Sequence, residues 1–471
     1  MVEPKDACPV CKRPNVGYEF RTFKQTLFRC ADCNLLFLSQ LDTTATGRLD
    51  VESQAKPNDE LDPITIKHRV ENYVGKLKDR GVKSNSRFVV TGRNVRHFID
   101  HAHADGFNSI DDSLDQIEDH SIDACVVLAT LGESSYPLEQ LLMIRKVLKP
   151  GAILLVSVPT LDSDVAQRQK SRWNQFTLGR LTYFDRHGLT ALLVRAGYGQ
   201  ITMSSEADGV VVVCCKETRE NDQPLLSIVL PVYNERATFE QLIQSVLEKR
   251  LDVVNREIII VESNSTDGSR ELVQQYETQP GVKVIYEDEP RGKGHAVRNG
   301  LNHASGSIIL IQDADLEYDI EDYDVLLAPI TSYRRLFVLG SRHKGHWKMR
   351  EFDDKNLLSA VFNFGQVFFT WLINVTCGTQ LKDPFTMYKV FHRECLYGLQ
   401  LESNRFDLDW EIVIKFIRKG IVPIEIPVNY TSRSFGEGKK VRPLVDPMLW
   451  IIALLKFRYG LLYSNTTCKR R

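Results

Sequence analysis

From Leu225 onward the chain repeats one pattern four times: a short aliphatic run that stops at polar or turn-forming residues, then a helical stretch. The runs are LLSIVLPVYNE, REIIIVESNSTDGS, GVKVIYEDEPRGKGHAVRNG and GSIILIQDAD. Strands alternating with helices predict a parallel sheet covered on both faces. Such strands read as continuous apolar runs because neither face meets water. Returning through a helix puts every strand's carboxyl end on one edge, where the ligands of open parallel sheets bind. Four polar clusters far apart in sequence therefore become neighbours.

Each cluster suggests a part of one site. PVYNE sets Pro231, Tyr233 and Glu235 after the first strand. VESNSTDGS sets Glu262 at the end of the second, with Asn264, Ser265 and Asp267 in a turn. A carboxylate there can accept hydrogen bonds from the N–H groups of a uracil or guanine edge. RGKGHAVRNG offers Arg291, Lys293 and Arg298 among glycines that let backbone approach a phosphate. IILIQDADLEYD ends in Asp313, Ala314 and Asp315, followed by Glu317 and Asp319. An acidic run is ordinarily a solvated face. At the end of a buried strand, two of these carboxylates instead supply hard oxygen ligands for Mg²⁺ or Mn²⁺ shared with substrate phosphates. Asp313 is expected to face the nucleotide and Asp315 the metal, with Glu317 and Asp319 opening the next segment.

Together these residues resemble family-2 glycosyltransferases of the GT-A fold, in the branch of dolichol- or polyprenyl-phosphate mannose synthases. The likeness covers Leu225 to about Arg442. PxYNE is matched by Pro231 to Glu235, GKGxAxRxG by Gly292 to Gly300, and DxD by Asp313 and Asp315. The usual DDGSxDxT stands as ESNSTDGS, with Glu262 for the first Asp and Ser263 for the second, which leaves the donor base open. A GSR element follows as Gly340, Ser341 and Arg342, and LKDPFTMYKVFHR supplies Asp383, Pro384, Thr386, Tyr388 and Lys389 in the acceptor region. Asp407 and Glu411 are four apart, on one helical face. VNYTSRSFGEGKKVR resembles the loop that closes over the phosphates, with Tyr430, Arg433, Ser434, Gly438, Lys439 and Lys440.

The resemblance implies inverting transfer of a sugar from a GDP- or UDP-linked donor, with the divalent metal stabilising the leaving diphosphate. Two acceptors remain open. A sugar hydroxyl needs a base, for which Asp383 or Asp407 is placed. A polyprenyl phosphate is already anionic and needs cations, which Arg342, Arg433, Lys439 and Lys440 provide.

Two stretches bear on a lipid acceptor. From Asn356 to Leu381 there is no charge. Asn356, Ser359, Asn363, Gln366, Thr370 and Asn374 recur as one polar stripe on an otherwise apolar helix. Spanning would leave the stripe unsatisfied in lipid. The expectation is a helix in the membrane interface, the alternative a helix buried against the glycosyltransferase core. Residues 443–471 form a basic and apolar tail, VDPMLWIIALLKFRYGLLY interrupted by Lys456 and Arg458. Between Thr431 and Arg471 stand nine Lys or Arg against two acids, a charge suited to an anionic leaflet.

Upstream, two further domains are expected. Residues 1–45 carry Cys8-x2-Cys11 and Cys30-x2-Cys33, spacing that suits a closed structural Zn²⁺ site in a zinc ribbon. Residues 60–218 again alternate strand and helix. From Asn72 to Lys216 they resemble a class I methyltransferase, a Rossmann-like fold, most clearly in LEQLLMIRKVLKPGAILLVSVP. The cofactor end departs from that family. VTGRNVRHF has only Gly92 before Arg93, Asn94 and Arg96, and the ribose carboxylate would have to be Asp111 or Asp112. S-adenosylmethionine is not expected, and either upstream domain can serve a protein partner. The alternative is a bifunctional enzyme that also methylates.

The fold class is thus α/β: a zinc ribbon, a Rossmann-like methyltransferase domain and a GT-A domain over residues 224–442. With 60 Lys plus Arg against 61 Asp plus Glu, no nucleic-acid partner is expected. Ten cysteines, four of them in CxxC pairs, fit a reducing compartment. With no leader-like start and no run of the roughly 18 apolar residues that mark a span, the expectation is a cytoplasmic protein, peripheral on a membrane.

Overall fold

The structure is a computed structural model that describes residues 7–10, 14, 16–22, 26–30, 35–38, 63–93, 95–104, 108–110, 114, 116–176, 179–217, 223–342, 356–431 and 446–460. Its contacts divide the chain into two units, Met1–Glu220 with Thr466–Arg471, and Asn221–Asn465.

The first unit has strands β1 (Val16–Arg21), β2 (Thr26–Cys30), β3 (Leu36–Leu38), β4 (Arg87–Gly92), β5 (Asn108–Ile110), β6 (Ile122–Leu128), β7 (Leu148–Pro159), β8 (Thr182–Tyr183), β9 (Tyr198–Ser205) and β10 (Gly209–Lys216). Its helices are α1 (Pro63–Asp79), α2 (Val95–Ala104), α3 (Pro137–Val147), α4 (Asp164–Gln169) and α5 (Arg186–Arg195). Six strands form a sheet in the order β5-β4-β6-β7-β10-β9. It is parallel from β5 to β7, and β10 runs antiparallel between β7 and β9. β6 and β7 bury the unbroken runs Ala124–Val127 and Ala152–Val156, which is why these stretches read as continuous apolar runs. Val70, Tyr73, Val74 and Leu77 of α1 pack with Phe98 and Ala102 of α2 on one face of this sheet.

Gly92, at the end of β4, has a φ of +119°, and a Cβ there would stand 2.1 Å from the Leu128 carbonyl oxygen. The glycine is required by a neighbouring strand, and that alone accounts for it. Arg93 next to it pairs with Glu133 at 2.6 Å. Asn94, Asp111 and Asp112 lie outside the described residues.

A second sheet, β1-β2-β3-β8, is antiparallel throughout. Its fourth strand is only Thr182–Tyr183, paired with Phe37 and Leu36. The segments expected as 1–45 and 60–218 therefore share one sheet, and Leu27, Leu36 and Leu38 share a core with Trp173 and Tyr183. Cys8 and Cys30 are buried, and the Cys30 N–H donates to the Leu35 carbonyl. Cys11 and Cys33 lie outside the described residues.

The second unit has strands β11 (Leu225–Val232), β12 (Asn255–Glu262), β13 (Val282–Tyr286), β14 (Ile308–Ile311), β15 (Phe337–Ser341), β16 (Lys389–His392) and β17 (Ile424–Pro427). Its helices are α6 (Phe239–Glu248), α7 (Ser269–Gln274), α8 (Lys293–His303), α9 (Tyr323–Thr331), α10 (Asn356–Cys377), α11 (Leu408–Arg418) and α12 (Asp446–Tyr459). The sheet order is β13-β12-β11-β14-β16-β15-β17, with β16 antiparallel to both its neighbours. The four repeated runs are β11 to β14, parallel and side by side, so their ends do meet on one edge.

Helix α12 is docked on this unit. Ala453, Leu454 and Phe457 share a core with Phe369, Ile373, Trp410 and Ile414 of α10 and α11. Lys456 and Arg458, the charges that interrupt its apolar run, reach Glu402 at 2.9 Å and the Thr376 carbonyl at 2.7 Å. Among the described residues no helix is long and apolar enough to cross a membrane.

Candidate active site

The loops after β11 and β12 are stitched to each other. Asn234 and Asn264 take left-handed backbone (φ 53° and 56°), which asparagine tolerates better than most residues. The Asn234 side chain accepts from the Thr266 N–H, and the Asn234 N–H donates to Ser265 Oγ. Asp267 accepts from the Arg236 and Ser269 N–H groups. Burial alone would raise its carboxyl, but the bonds from Ser269 and Arg236 bring it below the ordinary range. Pro231, Tyr233 and Glu235 are half-buried along this seam. Thr238 bonds the Ala314 carbonyl at 3.0 Å and so ties the first strand end to the acidic one.

Glu262 sits at the end of β12 and is fully buried. Its carboxylate accepts from the Asn264 and Ser265 N–H groups at 3.2 and 2.6 Å and lies 3.3 Å from Arg270. In this structure it closes its own turn. Ser263, which stands where the family pattern has a second acid, donates to Glu287 at 2.8 Å. Glu287 is in turn 2.7 Å from His295.

Lys293 opens α8 and forms an ion pair with Asp313 through its side chain. Asp315 accepts from the Glu317 N–H, and Glu317 accepts from the Tyr430 hydroxyl at 2.8 Å. Asp319 accepts from the Glu321 N–H and caps the short helical turn that follows. Lys389, fully buried below this point, contacts Asp409 at 2.9 Å. Burial pushes the Lys389 ammonium down and the Asp409 carboxyl up, against the attraction of each for the other. Asp409 also feels Lys293 and Asp313, so the two ion pairs are electrostatically linked. Sequence reading passed over Asp409. The only available signal was its place in FDLDWE beside Asp407.

The glycine-rich stretch works differently from the expectation. A Cβ on Gly292 would meet the Asn404 carbonyl oxygen at 2.5 Å, and one on Gly294 would meet those of Ser403 and Arg405 at 2.7 and 2.6 Å. The chain from 401 to 405 crosses directly over this turn. Arg298 serves the same crossing, donating to the carbonyls of Leu401 and Ser403 and to the Asn404 side chain. Arg291, on the turn before α8, reaches Glu289. Glu411 is fully buried and accepts from the Glu402 and Ser403 N–H groups and from Lys415. Asp407, the N-cap of α11, accepts from the Arg405 N–H.

At the other side of the edge, Arg342 follows β15 and meets fully buried Asp383. The guanidinium donates through Nε and Nη2 at 2.8 and 2.7 Å, and the Arg342 N–H donates at 3.0 Å. Burial works against the charge on Arg342, but Asp383 outweighs it and holds the group well above its ordinary range. None of these contacts uses Nη1. The Tyr430 ring packs 5.4 Å from the guanidinium and 5.2 Å from the ring of Tyr318, three residues beyond Asp315. Arg433, Ser434, Gly438, Lys439 and Lys440 lie outside the described residues.

From residue 365 onward, where its side chains are described, the polar stripe of α10 faces inward. Gln366 donates to Asp383 at 3.2 Å, Thr370 is buried, and Asn374 bonds both the N–H and the carbonyl of Leu381. Val367, Phe368, Trp371 and Val375 are exposed instead, Trp371 at 57%.

Whether these residues suit a divalent cation rests on their donors. Among the described residues no cluster of three or more His, Cys, Asp or Glu forms a complete metal cage. A Mg²⁺ shared with a diphosphate does not need one; one or two carboxylates suffice. Asp313 and Asp315 fit that requirement.

Residues 227–396 match the protein family described as glycosyl transferase family 2. The dolichol-phosphate mannosyltransferase of Pyrococcus furiosus is 28% identical over 235 residues, 49% of this chain and 64% of that one. The dolichyl-phosphate beta-glucosyltransferase of Homo sapiens is 26% identical over 235 residues, 46% of this chain and 70% of that one. The chain thus spans a little under two thirds of the length of the first of these relatives. A solved structure of glucosyl-3-phosphoglycerate synthase from Mycobacterium tuberculosis overlaps half of the chain at 21% identity and a TM-score of 0.38, too little to bear on chemistry. The second unit therefore carries a glycosyltransferase family 2 domain.

Proposed function

We propose that the second unit transfers a sugar, with inversion, from a GDP- or UDP-linked donor to a polyprenyl phosphate at a membrane surface. The observation that carries the acceptor is the Arg342–Asp383 pair. Of the two candidate bases, Asp383 is committed to Arg342 and Asp407 accepts from the Arg405 N–H, an arrangement that disfavours proton removal from a hydroxyl. Arg342, held in place with Nη1 outside its contacts to the described residues, suits an acceptor that arrives already anionic. The names of the two curated relatives point to the same acceptor class. Arg433, Lys439 and Lys440 would add charge around it.

Donor binding falls to the other half of the edge. Asp313 and Asp315 would hold Mg²⁺ or Mn²⁺ together with the diphosphate, and the metal when bound would offset charge on the leaving group. Lys293 holds Asp313 in place, and Thr238 fixes the backbone between the two acids through the Ala314 carbonyl. The stitched loops carrying Tyr233, Glu235 and Asn264 are the candidate wall for the base. Glu262 is assigned to that wall through the turn it organises.

Peripheral attachment to a membrane, which we assign to the cytoplasmic face as part of the proposal, is supported in its first half by α10. A helix that hides Gln366, Thr370 and Asn374 in the protein and turns Val367, Phe368, Trp371 and Val375 outward is built to rest against an apolar phase. For the first unit, the order β5-β4-β6-β7-β10-β9 supports a methyltransferase-like framework; we read it as non-catalytic from its departure at Gly92, Arg93, Asn94 and Arg96. Burial of Cys8 and Cys30 supports a structural Zn²⁺ completed by Cys11 and Cys33, which metal analysis of the purified chain would check.

The test is a panel of UDP- and GDP-sugars with Mn²⁺ and a polyprenyl phosphate, scored for lipid-linked product. One donor should give product that Asp315→Ala lowers by about 100-fold or more. Equal transfer by Asp315→Ala, or product only on a glycan hydroxyl, would refute the assignment.

A further inference from the structure

The first unit holds a cavity of about 280 Å³ at the carboxyl ends of β4, β6 and β7. Val70, Phe98, Leu128 and Pro159 give it apolar walls, and Arg180 lines it. Arg180 is only 3% exposed. Its Nη2 donates to Gln175 at 3.2 Å, while Nε and Nη1 have no hydrogen-bond partner among the described residues. Glu133 and Asp208 favour the Arg180 charge electrostatically, and Glu206 and Asp208 line the cavity together with Arg69 and Arg93, but the hydrogen bonds of these three carboxylates go to other groups. Glu133 pairs with Arg93, Asp208 accepts from the Trp173 indole N–H at 2.6 Å, and Glu206 accepts from the Tyr73 hydroxyl at 2.8 Å.

We propose that this cavity binds a small molecule bearing an oxyanion, a carboxylate or phosphate, on an apolar body, with Arg180 as its anchor. A buried guanidinium stays charged, so leaving two of its three nitrogens without acceptors carries a desolvation cost; both are closed to water, and a ligand oxyanion removes that cost as the side chain turns into the cavity. The apolar walls provide for the rest of the ligand, and the volume lies near the lower end of small-molecule sites. The position is a strand-end cleft, where open parallel sheets bind ligands. A nucleoside methyl donor is disfavoured by Gly92. The Leu128 carbonyl already occupies the space beside its Cα, so that turn offers no extra room for a cofactor's close approach.

Calorimetry on the full chain tests this with phenyl phosphate and benzoate as probes, benzyl alcohol as the uncharged match, and S-adenosylmethionine as the rival. At least one anion is expected to bind in the millimolar range or tighter, and benzyl alcohol much more weakly. Arg180→Gln should weaken the anion about tenfold or more. Arg80→Gln should leave it unchanged, because Arg80 bonds the Gln200 carbonyl and the Thr202 hydroxyl and is no part of the cavity lining. Should Arg180→Gln fail to fold, Ser157→Leu narrows the cavity without touching the arginine and should also abolish binding. Failure of both anions to bind the parent chain overturns the proposal. So does equal binding of benzyl alcohol, or undiminished binding by the variants. Tight S-adenosylmethionine binding indifferent to Arg180→Gln would replace it with a methyl-donor site.

Discussion

Substituting Asn for Asp383 separates two roles for that carboxylate. Asp383 is fully buried, and it accepts from Nε, Nη2 and the backbone N–H of Arg342 and from Gln366. The side chain of Arg342 is only 8% exposed, so in the variant its charge is left without a counter-ion in a place water scarcely reaches. Removing one partner of a buried ion pair costs about 3–5 kcal/mol. For a unit of this size each kcal/mol lowers Tm by about 2–4 °C, so a fall of roughly 6–20 °C is expected for Asp383→Asn. Joining Arg342→Gln to it removes the stranded charge, and the double variant should lose much less than the sum of the two single losses. Scanning calorimetry of the three variants measures the coupling directly. A Tm change below about 2 °C, or strict additivity, would refute the claim that the pair is a buried, mutually dependent unit. Activity adds a second reading. A positioning role leaves the residual transfer with an unchanged pH profile, whereas loss of an acidic limb would restore Asp383 as a base.

Two further outcomes concern the same unit. Trp371→Glu should leave folding intact, since the ring is 57% exposed, yet reduce flotation of the protein with anionic vesicles; undiminished flotation would detach α10 from the membrane reading. Glu257 accepts from the hydroxyls of Ser227 and Ser305 and from the Ser305 and Gly306 N–H groups, which together outweigh the burial that would raise its carboxyl. A depressed carboxyl stabilises the fold above its ordinary value of 4.5 and loses that contribution as pH falls further. The parent should therefore lose stability below pH 4.5 more steeply than Glu257→Gln in acid denaturation followed by circular dichroism, and parallel curves would contradict this.

The parallel core of the second unit was legible because each buried strand announces itself as an aliphatic run and ends in turn chemistry. Asp313 and Asp315 could be placed at a strand end for the same reason. Contacts between distant segments were not legible. Nothing in GKGHAVRNG reveals that residues 403–405 will lie across Gly292 and Gly294, so glycines and an arginine suited to a phosphate were assigned to one. Asp407 and Glu411 drew attention through their spacing, while the acid coupled to Lys389 is Asp409. Periodicity identified the polar stripe of α10 but not the side it would face, because that depends on partners at Asp383 and Leu381. The pairing of Leu36 with Tyr183 depends on a two-residue strand, too short to leave a pattern.

The crossing at 401–405 also limits how the gene can vary. Asn404 and Arg405 are exposed and flank a helix start, the kind of place where added residues are usually harmless. Here the carbonyls press on two glycines, Arg298 grips three neighbouring groups, and Glu411 holds two N–H donors from behind. Length is therefore fixed at a surface loop that looks free. Insertions, fusion points and epitope tags placed there would shift the start of α8, and with it Lys293 and the carboxylate that Lys293 holds.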